Sequence, residues 1–279
     1  MLQRILVAVV GVPVLLLILC VCPDWATAGF LCLLSILAAY ELVGAVLETK
    51  KKRWWALSAV LSTYVVFMPY WSRPEYAHSA MAIMPWLMAA FILLLFICWI
   101  VELDRNSSAL QFFDVSVILT AGLAIPLALS CLLRLRMMEY GAGLVLIPLV
   151  SAFCSDSAAL IVGMKWGKHP LAPKVSPKKT KEGGIGGLLG GLVGMVLFRI
   201  AFFLITEVQL HIVWCVVLGL TGAAVGALGD LVFSAIKRQY GIKDYGRILP
   251  GHGGVLDRFD SVIFAAPLTW LFLQYIELY

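Results

Sequence analysis

Asp156 and Asp230 lie inside apolar runs, nine residues before Lys165 and seven before Lys237. At 1.5 Å per helical residue, those offsets put both carboxylates about 10–13 Å from the same end of their helices. An unpaired carboxylate in apolar surroundings is expensive, so the pair is expected to share a cavity, a cation or a basic partner. Asp230, Ser234 and Lys237 are spaced i, i+4, i+7 and form one polar stripe on an otherwise apolar helix. Snorkelling explains Lys237 alone but not the triplet. Asp257 and Asp260 open the last apolar run, with Arg258 between them and the turn Gly251-His252-Gly253-Gly254 before them. Acidic residues in a first helical turn stabilise a helix N-terminus. Glycines also let backbone amides approach a phosphate closely.

A second basic segment, Lys165 to Gly184, carries six lysines and no arginine. Attraction of anionic lipids is one alternative reading of Lys165 and Lys168. Ser176, Lys178, Lys179 and Thr180 instead run directly into a glycine-rich helix start, where a phosphate is readily bound. Lys243 and Arg238 extend the same character after the Asp230 stripe. Carboxylates suit a hard cation such as Mg²⁺, and lysines with glycines suit phosphates. Together they point to phosphoryl or nucleotidyl transfer onto a lipid phosphate at a membrane surface.

The elements that must position these groups are membrane helices. The chain has 279 residues, 62% of them hydrophobic and 13% charged, a composition that excludes an ordinary soluble domain. Apolar runs near 5–22, 25–47, 54–71, 81–101, 111–133, 143–164, 184–206, 212–235 and 255–277 each approach the ~20 residues of a spanning helix. The expected fold is therefore all-α: a polytopic bundle of about nine spans, with loops 165–183 and 236–254 completing a site in the C-terminal half. With the N-terminus inside, all 21 Lys and Arg except Arg73, Arg134, Arg136 and the intramembrane Arg199 fall on the cytoplasmic side. Residues 26–28 offer a signal-peptidase-like Ala-Thr-Ala, yet the preceding apolar run is long for a signal core, and a retained first helix is expected. The seven cysteines sit in or beside apolar runs and are expected to pack as small apolar groups.

Texture divides the chain into N-terminal helices, 1–140, and a catalytic region, 141–279. In the first part only Glu41 and Asp114 interrupt the apolar runs, with interfacial placement or a helix–helix hydrogen bond expected. In the second, Gly183, Gly187 and Gly191 recur every four residues, as do Gly186, Gly190 and Gly194, followed by Gly222 and Gly226. Small residues at that spacing bring helix backbones together.

The ordered series Ser234-Ala-Ile-Lys237-Arg238, Lys243-Asp244 and Pro250-Gly-His252-Gly253-Gly254-Val-Leu-Asp257-Arg258-Phe-Asp260 resembles the signature of phosphatidate cytidylyltransferases. Asp156-Ser-Ala-Ala and the segment Leu171 to Gly183 resemble that family's second motif region, so the likeness covers about 120 residues. Ala159-Leu160 and Lys181 depart from it, standing where the family commonly has aromatic residues. The resemblance implies CTP and phosphatidate as substrates, CDP-diacylglycerol and pyrophosphate as products, Mg²⁺ as cofactor, a homodimer, and a bacterial inner membrane. It implies Asp230 and Asp257 as metal ligands, Asp156 and Asp260 completing or orienting that shell, and Lys179, Lys237 and Arg238 at phosphates. Ser176, Lys178, Thr180, Ser234, Lys243, His252, Gly253, Gly254 and Arg258 are the further candidates for substrate contact. No nucleic-acid partner is expected.

Two other readings fit the sequence less well. A CDP-alcohol phosphotransferase would carry Asp-Gly-x-x-Ala-Arg, which is absent from the chain. A cation-coupled transporter would commonly repeat its broken helices in both halves, whereas the intramembrane polarity here is concentrated in the C-terminal half.

Overall fold

The computed structural model describes residues 2–47, 54–72, 77–105, 110–246, 248 and 253–279. His252 and its neighbours 249–251 lie outside the described residues. The protein is an almost wholly helical membrane protein. Its helices are α1 (Leu2–Leu16), α2 (Asp24–Val46), α3 (Trp55–Trp71), α4 (Ala77–Arg105), α5 (Phe112–Leu119), α6 (Ile125–Arg136), α7 (Gly141–Leu144), α8 (Ile147–Trp166), α9 (Lys181–Thr206), α10 (Ile212–Gln239) and α11 (Leu256–Tyr275). Short π-helical turns, Leu17–Val21 and Thr120–Ala124, follow α1 and join α5 to α6. Among the described residues six helical segments are long and apolar enough to cross a bilayer: Asp24–Val46, Pro85–Asp104, Phe112–Arg136, Gly141–Trp166, Lys181–Thr206 and Ile212–Gln239.

One element departs from the all-helical expectation. Within the lysine-rich loop, β1 (Pro170–Ala172) and β2 (Ser176–Thr180) pair antiparallel, with Pro170 opposite Thr180 and Ala172 opposite Ser176. Lysines and prolines mask the strand signal, because the hairpin is short and exposed and needs no apolar face.

The described chain forms two compact units, residues 1–24 with 134–279 and residues 25–133. The first helix thus groups with the C-terminal part, a partition different from the textural boundary near residue 140. In the smaller unit, several buried hydroxyls bond to helix carbonyls. Ser58 Oγ donates to Ile118 O (3.1 Å) and Ser62 Oγ to Ser58 O (2.8 Å). Asp114 accepts from the Gln111 amide (2.7 Å) in a capping box that starts α5.

In the larger unit, the glycines set how closely α8, α9, α10 and α11 approach. A Cβ at Gly183 would lie 2.9 Å from Ala159 O, and one at Gly187 3.0 Å from Ser155 Oγ, so α9 rides on the α8 segment that carries Asp156. On another side of α9, a Cβ at Gly191 would meet Gly219 O at 2.6 Å, and one at Gly219 would meet Gly191 O at 2.8 Å. A Cβ at Gly229 would stand 2.7 Å from Asp260 O, which sets the residue before Asp230 against α11. Leu144, Ile147, Met195, Phe202, Cys215 and Leu218 fill a core at the other end of the unit.

Gly191→Ala should force backbone apart at the α9–α10 crossing and destabilise the protein by about 1–3 kcal/mol. Gly184→Ala, whose Cβ would meet nothing within 4 Å, should be neutral or slightly stabilising. Thermal unfolding of the two variants in the same detergent checks the contrast.

Candidate active site

Thr180 ends β2 and caps α9, its Oγ1 accepting from the Gly183 amide at 3.1 Å. Glu182 locks the hairpin to that cap: its carboxylate accepts from the amides of Lys168 (3.1 Å) and His169 (3.2 Å) and meets His169 Nδ1 at 2.6 Å. At the hairpin turn, Arg238 Nε on α10 donates to Val175 O at 3.2 Å. Fixed in this way at both ends, β2 carries Lys179 to α10, where Nζ lies 2.5 Å from Asp230 Oδ2. The other oxygen of Asp230 accepts from Ser234 Oγ at 3.1 Å. The stripe expected along α10 therefore exists, and the hairpin lysine completes it.

Lys237, the third member of that stripe, faces a different carboxylate. Its Nζ is 2.7 Å from Asp257 Oδ1. Asp257 Oδ2 accepts from the amides of Tyr245 (2.9 Å) and Gly254 (3.0 Å). Both oxygens of Asp257 are thus engaged by donors, in the first turn of α11, where a negative charge is also favoured. Gly253 holds φ +84°, and a Cβ there would sit 3.2 Å from Asp257 Oδ2. The turn needs glycine at this point for its conformation and for room around the carboxylate. Burial, reinforced by the Asp257 and Asp260 charges, holds the Tyr245 phenol well above its ordinary pKa.

Asp156 and Asp260 are joined through Ser261. Ser261 Oγ lies 3.3 Å from Asp156 Oδ2 and 3.4 Å from Asp260 Oδ1, and the Ser261 amide donates to Asp260 Oδ1 at 2.8 Å. Asp156, Asp230 and Asp260 are close enough that their charges act on one another. Asp260 is buried, whereas Asp156 is open at the surface of the fold.

The donor set fits a hard divalent cation in its chemistry: carboxylates from α8, α10 and α11 with the Ser234 and Ser261 hydroxyls nearby. Among the described residues, no three acidic, His or Cys side chains already converge as a finished metal site. Both oxygens of Asp257 meet Lys237 and two amides, and both oxygens of Asp230 meet Lys179 and Ser234, so a cation at either would share the carboxylate with those donors.

The sequence matches the model of the cytidylyltransferase family over residues 2–276. The chain belongs to the cytidylyltransferase family. It is similar to the phosphatidate cytidylyltransferase of Bacillus subtilis (strain 168), 37% identical over 186 residues that span 66% of each chain. It is 29% identical to the phosphatidate cytidylyltransferase of Thermotoga maritima over 277 residues, 98% of this chain and 96% of that one. A third relative, the phosphatidate cytidylyltransferase of Staphylococcus haemolyticus, is 43% identical over 133 residues, 48% of this chain and 50% of that one. The match to the Mycobacterium bovis protein of the same name spans only 51% of its length.

In this cytidylyltransferase-family chain, the remaining candidates fall into three groups. Lys178, Lys243 and Arg258 are exposed. Ser176 lies on β2 and Ser234 on Asp230, while Arg238 directs its guanidinium to the backbone at Val175 and Ile242. His252 lies outside the described residues. Sequence reasoning passed over Ser261, Tyr245 and Glu182. Ser261 directly follows Asp260 and could have been suspected. The position of Tyr245 depends on a loop path that no periodicity encodes.

Asp257→Asn should turn an amide N–H toward Lys237 and break a pair whose side chains are 11% and 5% exposed. Removing one partner of a buried pair costs about 3–5 kcal/mol. The expected result is a lower unfolding midpoint and faster tryptic cleavage after Lys243, both read on protein in detergent.

Proposed function

We propose that this chain is a CTP:phosphatidate cytidylyltransferase, forming CDP-diacylglycerol and pyrophosphate with Mg²⁺ at the cytoplasmic face of a bacterial inner membrane. The observation that carries the reading is the Lys179–Asp230 contact. A hairpin outside the apolar helices delivers a phosphate-binding type of side chain onto a carboxylate inside one. Such a junction suits a reaction between a soluble nucleotide and a lipid headgroup. Family membership and the three relatives of that name support it.

In the proposed reaction a phosphatidate phosphate oxygen attacks the α-phosphorus of CTP. The new P–O bond forms as the bond to the β-phosphate bridging oxygen breaks, and pyrophosphate leaves with that electron pair. No protein nucleophile is required, and positioning with charge stabilisation does the catalytic work. Asp230, with Asp156 and Asp260, would hold Mg²⁺, which when bound offsets the charge of the phosphates. Asp257 orients Lys237 through the contact described above. Lys179 has three N–H donors and Asp230 engages one direction, leaving others for a phosphate. Lys237 and the exposed Lys178, Lys243 and Arg258 add positive charge around the same place, and Gly253 and Gly254 hold the turn beside it. Ser176 and Thr180 set the course of the hairpin, and Arg238 ties it to α10.

The finer topology belongs to the same proposal: about nine spans, N-terminus and both basic loops cytoplasmic, on the strength of the lysine and arginine asymmetry. Homodimerisation is part of it as well, as the family resemblance implies. Cysteines introduced at 178 and 243 should react with an impermeant thiol reagent only from the cytoplasmic side. Reaction from outside intact cells would remove the orientation.

The direct test is purified protein with labelled CTP, phosphatidate and Mg²⁺, with CDP-diacylglycerol as the product sought. Lys179→Ala should lower turnover about 10- to 150-fold, the equivalent of one charged hydrogen bond of ~1.5–3 kcal/mol. Lys181→Ala should change it little. Asp230→Asn should weaken both turnover and the apparent Mg²⁺ affinity, by more than Lys181→Ala does. Equal small effects at positions 179 and 181 would reduce the segment to a lipid-attracting polybasic loop.

A further inference from the structure

Lys237 is a charged side chain kept almost out of water, 8% exposed. Two groups hold its ammonium. Asp257 Oδ1 lies 2.7 Å from Nζ, and the centroid of the Tyr245 ring lies 5.5 Å from it, within cation–π range. Tyr245 is itself 6% exposed and is fixed from three directions. Its Oη donates to Phe233 O at 2.9 Å, its ring meets the Phe233 ring edge-on at 6.0 Å, and its amide donates to Asp257 Oδ2 at 2.9 Å. One residue therefore covers the lysine with its ring while its backbone holds the carboxylate that grips the same lysine. The Phe233 anchor lies on α10, one helical turn before Lys237, so the clamp is referenced to the helix that carries the lysine.

A lysine on a four-carbon stem has many rotamers of similar energy. Asp257 alone fixes a distance but not a direction, because an ammonium can pivot about one oxygen. The ring supplies a second face and closes that freedom. We propose that Tyr245 is a positioning residue that holds the Lys237 ammonium at the proposed phosphate site and acts on turnover only through that ammonium. The proposal rests on the reading of Lys237 given under Proposed function. A residue that merely filled space would act on stability and would do so whether or not Lys237 were present.

The experiment uses the full chain in detergent, with Tyr245→Phe, Tyr245→Leu, Lys237→Met and the double variant Lys237→Met/Tyr245→Leu. The first readout needs no reaction: acylation of Lys237 by a soluble amine reagent, followed by peptide mass, with exposed Lys243 as internal reference. Wild type and Tyr245→Phe should label slowly at Lys237, and Tyr245→Leu about ten-fold faster. The second is CTP-dependent turnover. Tyr245→Leu should lose about 2- to 30-fold in kcat/KM, the range spanned by a cation–π contact. Tyr245→Phe, which keeps the ring, should recover most of that loss. In the Lys237→Met background, Tyr245→Leu should add less than two-fold. Unchanged Lys237 labelling in Tyr245→Leu, or an equal further loss in the Lys237→Met background, would overturn the proposal. If Tyr245→Leu does not fold, Tyr245→Met removes the π face at similar volume and is read by the same criteria. If wild type makes no CDP-diacylglycerol, the proposed function fails, while the labelling comparison still decides whether Tyr245 positions Lys237.

Discussion

A carboxylate inside an apolar helix must be offset by a cation, a donor or water, and that constraint organises the larger unit of this protein. Each acidic group of the cluster has its own solution. Asp230 has Lys179 and Ser234, Asp257 has Lys237 and two amides, and Asp260 has the amide and hydroxyl of Ser261. Asp156 shares that hydroxyl and opens to the surface. The donors come from the hairpin, from the loop before α11 and from the helices themselves. Lys179 reaches Asp230 and the Ser261 hydroxyl reaches Asp156 across elements, and those two contacts need the elements to lie close together. Removing Cβ atoms at Gly183, Gly187, Gly191, Gly219 and Gly229 allows the approach.

The smaller unit shows the same chemistry without the consequence. Its buried hydroxyls at Ser58 and Ser62 bond to helix carbonyls, and Asp114 caps its own helix. Those groups are satisfied within one or two turns or by a neighbouring carbonyl. In the larger unit, Asp156, Asp230 and Asp260 crowd one another, and a single hairpin lysine bonds to one of them. Residual negative charge next to a basic rim is the property that a metal–nucleotide complex can use.

Two segments outside the apolar helices have parallel tasks. The hairpin of β1 and β2 carries Lys179, and the loop after α10 carries Tyr245. Each ends by grasping a carboxylate or the lysine beside it. Arg238 links the two, donating to Val175 in the hairpin and to Ile242 in the loop. The residue expected at a phosphate therefore also acts as a brace, because a guanidinium presents several donors in a rigid fork.

Much of this was legible in the sequence because it is periodic. Apolar runs of about 20 residues announced helices, glycines four apart announced close crossings, and Asp230, Ser234 and Lys237 at i, i+4 and i+7 announced a polar stripe. Helical geometry alone converts those spacings into shared faces. Local order could not say which stripe member meets which partner. Lys179 and Asp230 are brought together by a strand pairing too short and too polar to leave a pattern. Lys237 turns to Asp257 because a loop returns through Tyr245, and Asp257 becomes a gripped carboxylate because amides 3 and 12 residues earlier in the chain point at it. Residue types and helical spacing, which depend only on neighbours in the chain, determined the ingredients and their faces. Pairing across elements depends on how the faces pack, and that was decided by the tertiary structure.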